Sequence, residues 1–142
     1  GVDVPVIGQE GYDGEMFIKI AGAAAEGVII TTSLDRDSTD PLAQAFIQGF
    51  QKKSGYPADM VSASTHTAVL VLAEAMKQVD PSDKAALRQA IASTSINAAT
   101  GNISFNKLGE VRKSVQVQVV RDGSWHHFAV ISDPVLLAPP EE

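Results

Sequence analysis

Cysteine is absent from the 142 residues. That excludes disulfides, thiolate metal sites and cysteine nucleophiles. Histidine is scarce: His66, His126 and His127 are the three in the chain. The last two are neighbours in a stretch with strand character, so they are expected to point to opposite faces and cannot chelate one metal together. No metal site is expected. Asp35, Asp37 and Asp40 have the spacing of part of a calcium loop, but the central glycine and the later glutamate are missing, and a solvated loop is the expectation. There is no Walker glycine loop, no GxGxxG and no GxSxG, and Gly8-Gln9-Glu10-Gly11 has too few glycines to cradle a phosphate. Neither a cofactor nor an enzyme activity is expected.

Positive charge is also in short supply. Eleven lysines and arginines face 17 acids, a net charge of −6. Phosphate backbones are bound by lysine and arginine, and no basic stripe with interleaved aromatics occurs, so nucleic acid is excluded as a partner. No apolar run approaches the roughly 20 residues of a membrane span. The first residues, Gly1-Val2-Asp3, lack the basic region and apolar core of a targeting peptide.

What is present reads as α/β. Val4 to Ile7 is a candidate buried strand that stops at Gly8. A polar exit loop follows, Gln9 to Asp13, and then a helix over Gly14 to Ala25 with Phe17, Ile18, Ala21 and Ala25 on one side. After Gly27, the run Val28-Ile29-Ile30-Thr31-Thr32 is predicted to be a strand buried on both faces. A polar loop, Asp35 to Thr39, leads to a helix that Asp40 caps and Pro41 opens. Its apolar stripe is Leu42, Ala43, Phe46, Ile47 and Phe50, its last turn carries Lys52 and Lys53, and Gly55 stops it. A second helix is predicted from Ser64 to Val79, apolar on almost every side and so deeply buried. Ser82 is expected to cap a third, Asp83 to Ser93. Alternation of apolar and polar residues then marks Ile103-Ser104-Phe105 and Val115 to Arg121 as strands. Leu108-Gly109-Glu110 and Arg121-Asp122-Gly123-Ser124 are turns, and Trp125 to Ile131 is the partner strand of a closing hairpin. Residues 139–142 are expected to fray.

Strand, polar loop, helix is the arrangement in which loops at the carboxyl ends of strands hold ligands. Glu10 stands on such a loop, and a carboxylate there suits an ammonium group. Tyr12 either walls a cleft or packs at the start of the helix with Asp13 as its cap. Ser62, Ser64 and Thr65 offer hydroxyls near His66, and each also suits a cap.

The segments VIGQEGYD, IAGAAAEGVIITT, STHTAVLVLAEAM and GNISFNKLGEVRKSVQVQVV, in that order, resemble the carboxyl-terminal part of the periplasmic branched-chain amino acid (leucine/isoleucine/valine) binding proteins. These are type I solute receptors of ABC transporters, with two Rossmann-like lobes around a cleft. The resemblance implies a fragment of that fold ending in an antiparallel hairpin. About residues 1–32 and 101–138 would belong to the second lobe, and the helices of about 33–100 to the first, with two of the family's three hinge crossings in this stretch. Glu10 matches the acid that binds the ligand's α-ammonium. His66 stands where members often carry a ligand-contacting tyrosine, in the first turn of its helix, where an imidazolium is disfavoured. The implied ligand is an amino acid or related solute, and the implied partner is a membrane permease. The location would be periplasmic or otherwise extracytoplasmic. An amide or aromatic acid is the alternative solute, and a ligand-sensing regulatory domain the alternative role. Apolar helix faces left without the rest of a first lobe would favour homodimerisation or strand exchange.

Overall fold

A computed structural model describes residues 4–138 of the chain; the tail expected to fray, 139–142, lies outside the described residues. The elements run β1 (Ile7–Gly8), a 3-10 turn (Glu10–Tyr12), α1 (Glu15–Ala21), a second 3-10 turn (Gly22–Ala25), β2 (Ile29–Thr32), α2 (Pro41–Ser54), α3 (Met60–Met76) and α4 (Lys84–Ser93). There follow β3 (Ile96–Ala98), β4 (Gly101–Phe105), β5 (Val111–Arg112), β6 (Val115–Arg121), β7 (Ser124–Ile131) and α5 (Pro134–Leu137).

Two sheets result, one of order β1-β2-β6-β7 and one of order β3-β4-β5. In the first, β1 and β2 are parallel, with Ile7 opposite Ile29, and β2 and β6 are antiparallel, with Ile29 opposite Val119. The predicted central strand is there: Val28, Ile30 and Thr32 are buried, and Ile29 and Thr31 half-buried. The strand expected at Val4 to Ile7 is not buried. It pairs with β2 along one side, and Val4, Val6 and Ile7 are exposed. The closing hairpin turns on Asp122 and Gly123, both at positive φ (51° and 71°), the geometry that an Asp-Gly pair supplies. Helix α1 lies on this sheet. Phe17, Ile18 and Ala21 pack on the buried cluster Ala25, Val28, Ile30, Val120 and Trp125.

Beyond β2 the chain builds the second layer. Asp40 accepts hydrogen bonds from the Leu42 and Ala43 amides at 2.8 and 3.1 Å, Pro41 opens α2, and Gly55 closes it at φ 77°. Phe46, Ile47 and Phe50 pack on Leu34, Ala58 and Ala63. Asp40→Ala is expected to lower stability by about 1 kcal/mol in urea denaturation, because two amides lose their acceptor.

Helix α3 starts four residues before the expected Ser64. Asp59 is its cap, in a reciprocal box with Ser62, which outcompetes the hydroxyls further on. The helix is not buried all round: Ala63, Thr67, Val71 and Ala75 form the covered stripe, while Val61, Val69, Leu72 and Met76 are exposed. Asp83, not Ser82, caps α4, accepting from the Ala85 and Ala86 amides.

Residues 101–112 form strands that pair with β3 in the second sheet. The tight turn Ala99-Thr100 folds β4 back on β3, with Ala98 opposite Gly101, and β5 pairs with β4. Thr67 and Thr100 join their hydroxyls at 3.0 Å, tying that turn to α3. Passage from the second sheet to the first comes at Lys113-Ser114.

Candidate functional site

The exit of β1 is a single 3-10 turn. The Asp13 amide bonds to the Glu10 carbonyl at 3.0 Å, and the Gly14 amide to the Tyr12 carbonyl at 2.8 Å. Glu10 heads this turn, exposed, and its carboxylate has no hydrogen-bond or ion-pair partner among the described residues. Tyr12 packs at the start of α1. Its ring stacks on Phe17 at 5.0 Å and 15°, and 44% of the residue remains exposed. Gly8 makes that possible, because a Cβ there would run into the Tyr12 ring.

Asp13 is not a cap. Gly14 holds the cap position of α1, without a side-chain bond. The Asp13 carboxylate turns inward, where Thr32 Oγ1 and Arg36 Nη2 both donate to it. Arg36 Nη1 donates to Gln118 Oε1 at 2.7 Å, and Gln118 Nε2 donates to Asp35 Oδ1 at 3.3 Å. Gln118 is fully buried and the Asp13 side chain is 1% exposed. Burial pushes Asp13 above the ordinary carboxylate value, against the pull of the Arg36 guanidinium and the Thr32 hydroxyl. This network ties the Glu10 turn to β2, to the loop after it and to β6.

His66 lies in the second turn of α3 and not the first, so the helix dipole acts on it less than expected. Its exposed ring meets Phe46 of α2 at 4.9 Å. Among the described residues no hydrogen bond or ring contact joins it to Glu10 or Tyr12. Of the nearby hydroxyls, Ser62 is spent on the α3 cap and Ser64 donates to Met60 Sδ at 3.5 Å.

His126 and His127 stand on consecutive, regularly paired positions of β7, opposite Val119 and Gln118, and their rings take different partners. His126 Nδ1 lies 3.1 Å from Asp37 Oδ2, and His127 Nδ1 lies 2.8 Å from Asp35 Oδ2. The register of β6 and β7 shifts between Val117 and Gln118, which leaves Phe128 as one extra residue on β7, past both histidines. Asp35 and Asp37 are thus engaged by imidazoles, and Asp40 by the start of α2.

Sequence reasoning passed over Lys113. Its ammonium donates to Ser33 Oγ, so the connector between β5 and β6 is joined to the residue that follows β2. Burial lowers its pKa, and the negative charge of Glu10 partly offsets that.

A mixed α/β body, with its acid-bearing turn at the carboxyl end of a parallel strand, places that turn where open α/β sheets hold small ligands. Residues 1–124 match the periplasmic binding protein family. The chain belongs to that family, and its fold is the type I periplasmic binding protein fold. It is 27% identical over 112 residues to the leucine-, isoleucine-, valine-, threonine-, and alanine-binding protein of Pseudomonas aeruginosa, covering 79% of this chain and 30% of that protein. A leucine binding protein from Thermotoga maritima superposes with a TM-score of 0.86 at 28% identity, over 95% of this chain and 39% of the other. A solute binding protein from R. palustris in complex with benzoate gives 0.80 at 20% identity, over 89% of this chain and 36% of that one; that likeness is one of fold. These relatives are solute-binding proteins, and the chain spans well under half the length of each.

Proposed function

We propose that this chain forms part of an extracytoplasmic ABC-transporter receptor, which captures a small amino-acid-like solute between two lobes and presents it to a membrane permease. The observation that carries the reading is the Glu10 carboxylate, exposed at the carboxyl end of a parallel strand and without a protein partner among the described residues. Glu10 receives the solute's ammonium and Tyr12 supplies an aromatic wall beside it. His66, backed by Phe46, contacts the solute from the opposite lobe.

The sheet β1-β2-β6-β7 belongs to one lobe and α2 to β5 to the other. Ser33–Asp40 and Lys113-Ser114 are the connecting segments about which they close. Contacts from both lobes favour the closed state, and the permease recognises that state. The amino-acid-binding relatives support this ligand class. The exposed apolar residues of α3 are the surface that the remainder of a lobe or a second copy would cover.

Thermal unfolding of the natural polypeptide that carries this sequence tests the reading, with leucine, valine, threonine, acetamide and benzoate as probes. A ligand that binds only the folded state at 100 times its Kd adds about 2.7 kcal/mol. The aliphatic amino acids are expected to raise the midpoint. A response to benzoate or acetamide alone would retain a receptor and overturn the ligand class, and no response to any probe would overturn the receptor reading.

A further inference from the structure

We infer that His126 and His127 form a proton-sensitive latch: their rings fasten the chain between β2 and α2 to β7, and the charge on the rings sets how firmly it is held. The latch is a property of the fold and holds whatever the solute.

Geometry is the first ground. His126 Nδ1 lies 3.1 Å from Asp37 Oδ2, and His127 Nδ1 lies 2.8 Å from Asp35 Oδ2. The His127 amide also donates to Asp37 Oδ2 at 2.9 Å, so His127 engages both aspartates. The two acids are tied to each other, the Asp37 amide donating to Asp35 Oδ1 at 3.0 Å. Gln118 Nε2 donates to the same oxygen at 3.3 Å, and Gln118 stands opposite His127 in the β6–β7 ladder. The stretch from Asp35 to Asp37 is therefore fixed to two strands by side chains far along the chain.

Place is the second. In the sheet β1-β2-β6-β7, β6 lies between β2 and the outer strand β7. The chain leaving β2 passes β6 to reach the histidines. That chain is also one of the two connections between the first sheet and the elements α2 to β5. Its far end belongs to α2, because Gln44 Nε2 donates to the Ser38 carbonyl at 2.7 Å and the Ser38 hydroxyl accepts from the Asp40 amide at 3.1 Å. While the latch is shut, Asp35 to Asp37 move with the first sheet and Ser38 with the helix. Bending of the connection is then confined to the junction of Asp37 and Ser38.

Charge is the third. Among the described residues no lysine or arginine pairs with Asp35 or Asp37. Arg36, between them, turns to Asp13 and Gln118, and Lys113 of the β5–β6 connector goes to Ser33. The imidazoles are the basic partners of both acids. Burial pushes the Asp37 carboxyl up, but the His127 amide and the His126 ring outweigh it and hold the group below its ordinary 3.8, so it stays ionised in neutral and mildly acid solution. An imidazole changes charge between about pH 5 and 8. With the proton on, each contact is a charge-assisted bond. With it off, two neighbouring carboxylates lose their countercharges. The latch therefore shuts on the acid side of that range and slackens on the alkaline side.

Amide hydrogen exchange on the natural polypeptide tests the latch at about pH 5.5 and about pH 7.5, either side of the imidazole midpoint, with each rate divided by that of an unstructured chain at the same pH. The Val120 amide, bonded to the Val28 carbonyl within the same sheet, is the internal reference for changes in global stability. Relative to it, protection of the His127 and Asp37 amides is expected to be about fivefold higher in acid, the size of two partly exposed ion pairs acting together. The double variant His126→Gln, His127→Gln keeps hydrogen-bonding side chains without the charge. Its protection is expected to sit at the alkaline level at both pH values. Equal relative protection of the unmodified protein at the two pH values would overturn the latch, and so would a pH dependence that survives in the glutamine variant. The first comparison needs no substitution, so it decides the matter whether or not the variant folds.

Discussion

Glu10→Gln is expected to weaken the binding of aliphatic amino acids by roughly 30-fold or more while leaving the unliganded protein as stable as before. Both halves follow from the same geometry. The carboxylate has no partner among the described residues, and the turn that carries it is held by backbone bonds of Gln9, Glu10 and Tyr12. The amide is nearly isosteric, so the fold loses only the charge that Lys113 feels, and exposed substitutions of this kind stay within about 0.5 kcal/mol. Binding is another matter. With an ammonium enclosed against it, removing the charge from one member of a desolvated pair costs about 2–5 kcal/mol. Calorimetry of ligand binding and thermal unfolding without ligand, run side by side, check the two halves. Unchanged affinity would sink the ammonium role, and a large fall in stability would show that Glu10 is held by contacts other than those described here.

The parts of the fold that were legible in the sequence are those governed by neighbouring residues. Asp40-Pro41 and Gly55 bracket α2 as expected, because capping and left-handed glycine are decided within a turn of chain. Asp122-Gly123 turns the last hairpin for the same reason. The start of α3 was legible too, in the Asp59 and Ser62 box, but it competes with a run of hydroxyls at Ser62, Ser64 and Thr65 that offers several alternative starts. Choosing the later one puts His66 a turn too early. The apolar character of α3 was misleading in another way. It reports what the helix is built to be covered by, and the described residues cover one stripe of it.

What stayed hidden involves partners far apart in the chain. Asp13 beside a helix start looks like a cap; that Arg36, 23 positions on, and Gln118, 82 beyond that, close over it is a consequence of packing β2 against β6. The pairing of β4 with β3 and β5 has the same origin, since alternation identifies a strand but not its neighbour. Lys113 carried no signal at all. A lysine between a turn and a strand is ordinary until Ser33, 80 positions earlier, is placed beneath it.

The Asp13–Arg36 pair sets the other large expectation. Arg36→Met is expected to cost about 3–5 kcal/mol at neutral pH, the usual consequence of leaving one member of a buried ion pair behind. The carboxylate would keep the Thr32 hydroxyl, and Gln118, fully buried, would lose the donor to its Oε1. The pH dependence separates the stranded charge from mere loss of packing. Asp13 already lies above its ordinary value of 3.8 because burial outweighs the arginine. A raised carboxylate pKa means that the folded state holds the proton more tightly than the unfolded chain. Its contribution is therefore most favourable in acid and is lost as pH rises from the ordinary value through the raised one. Without Arg36 the rise is larger, so the deficit of the variant is expected to be small near pH 4 and to grow towards neutrality in urea denaturations between about pH 4 and pH 8. Asp37, whose pKa is lowered, acts in the opposite sense in the parent, but it is common to both proteins and cancels in the difference. In the same cycle, Asp13→Asn with Arg36→Met is expected to recover part of the loss, since neighbours in one network couple by about 0.5–3 kcal/mol. A deficit independent of pH, unrelieved by Asp13→Asn, would place the cost in packing around Gln118 and not in the carboxylate. The same turn links stability to ligand capture. The Asp13 amide bonds to the Glu10 carbonyl, so a carboxylate released from Arg36 takes with it the backbone that aims Glu10, and amino-acid affinity at neutral pH is expected to fall with stability in Arg36→Met.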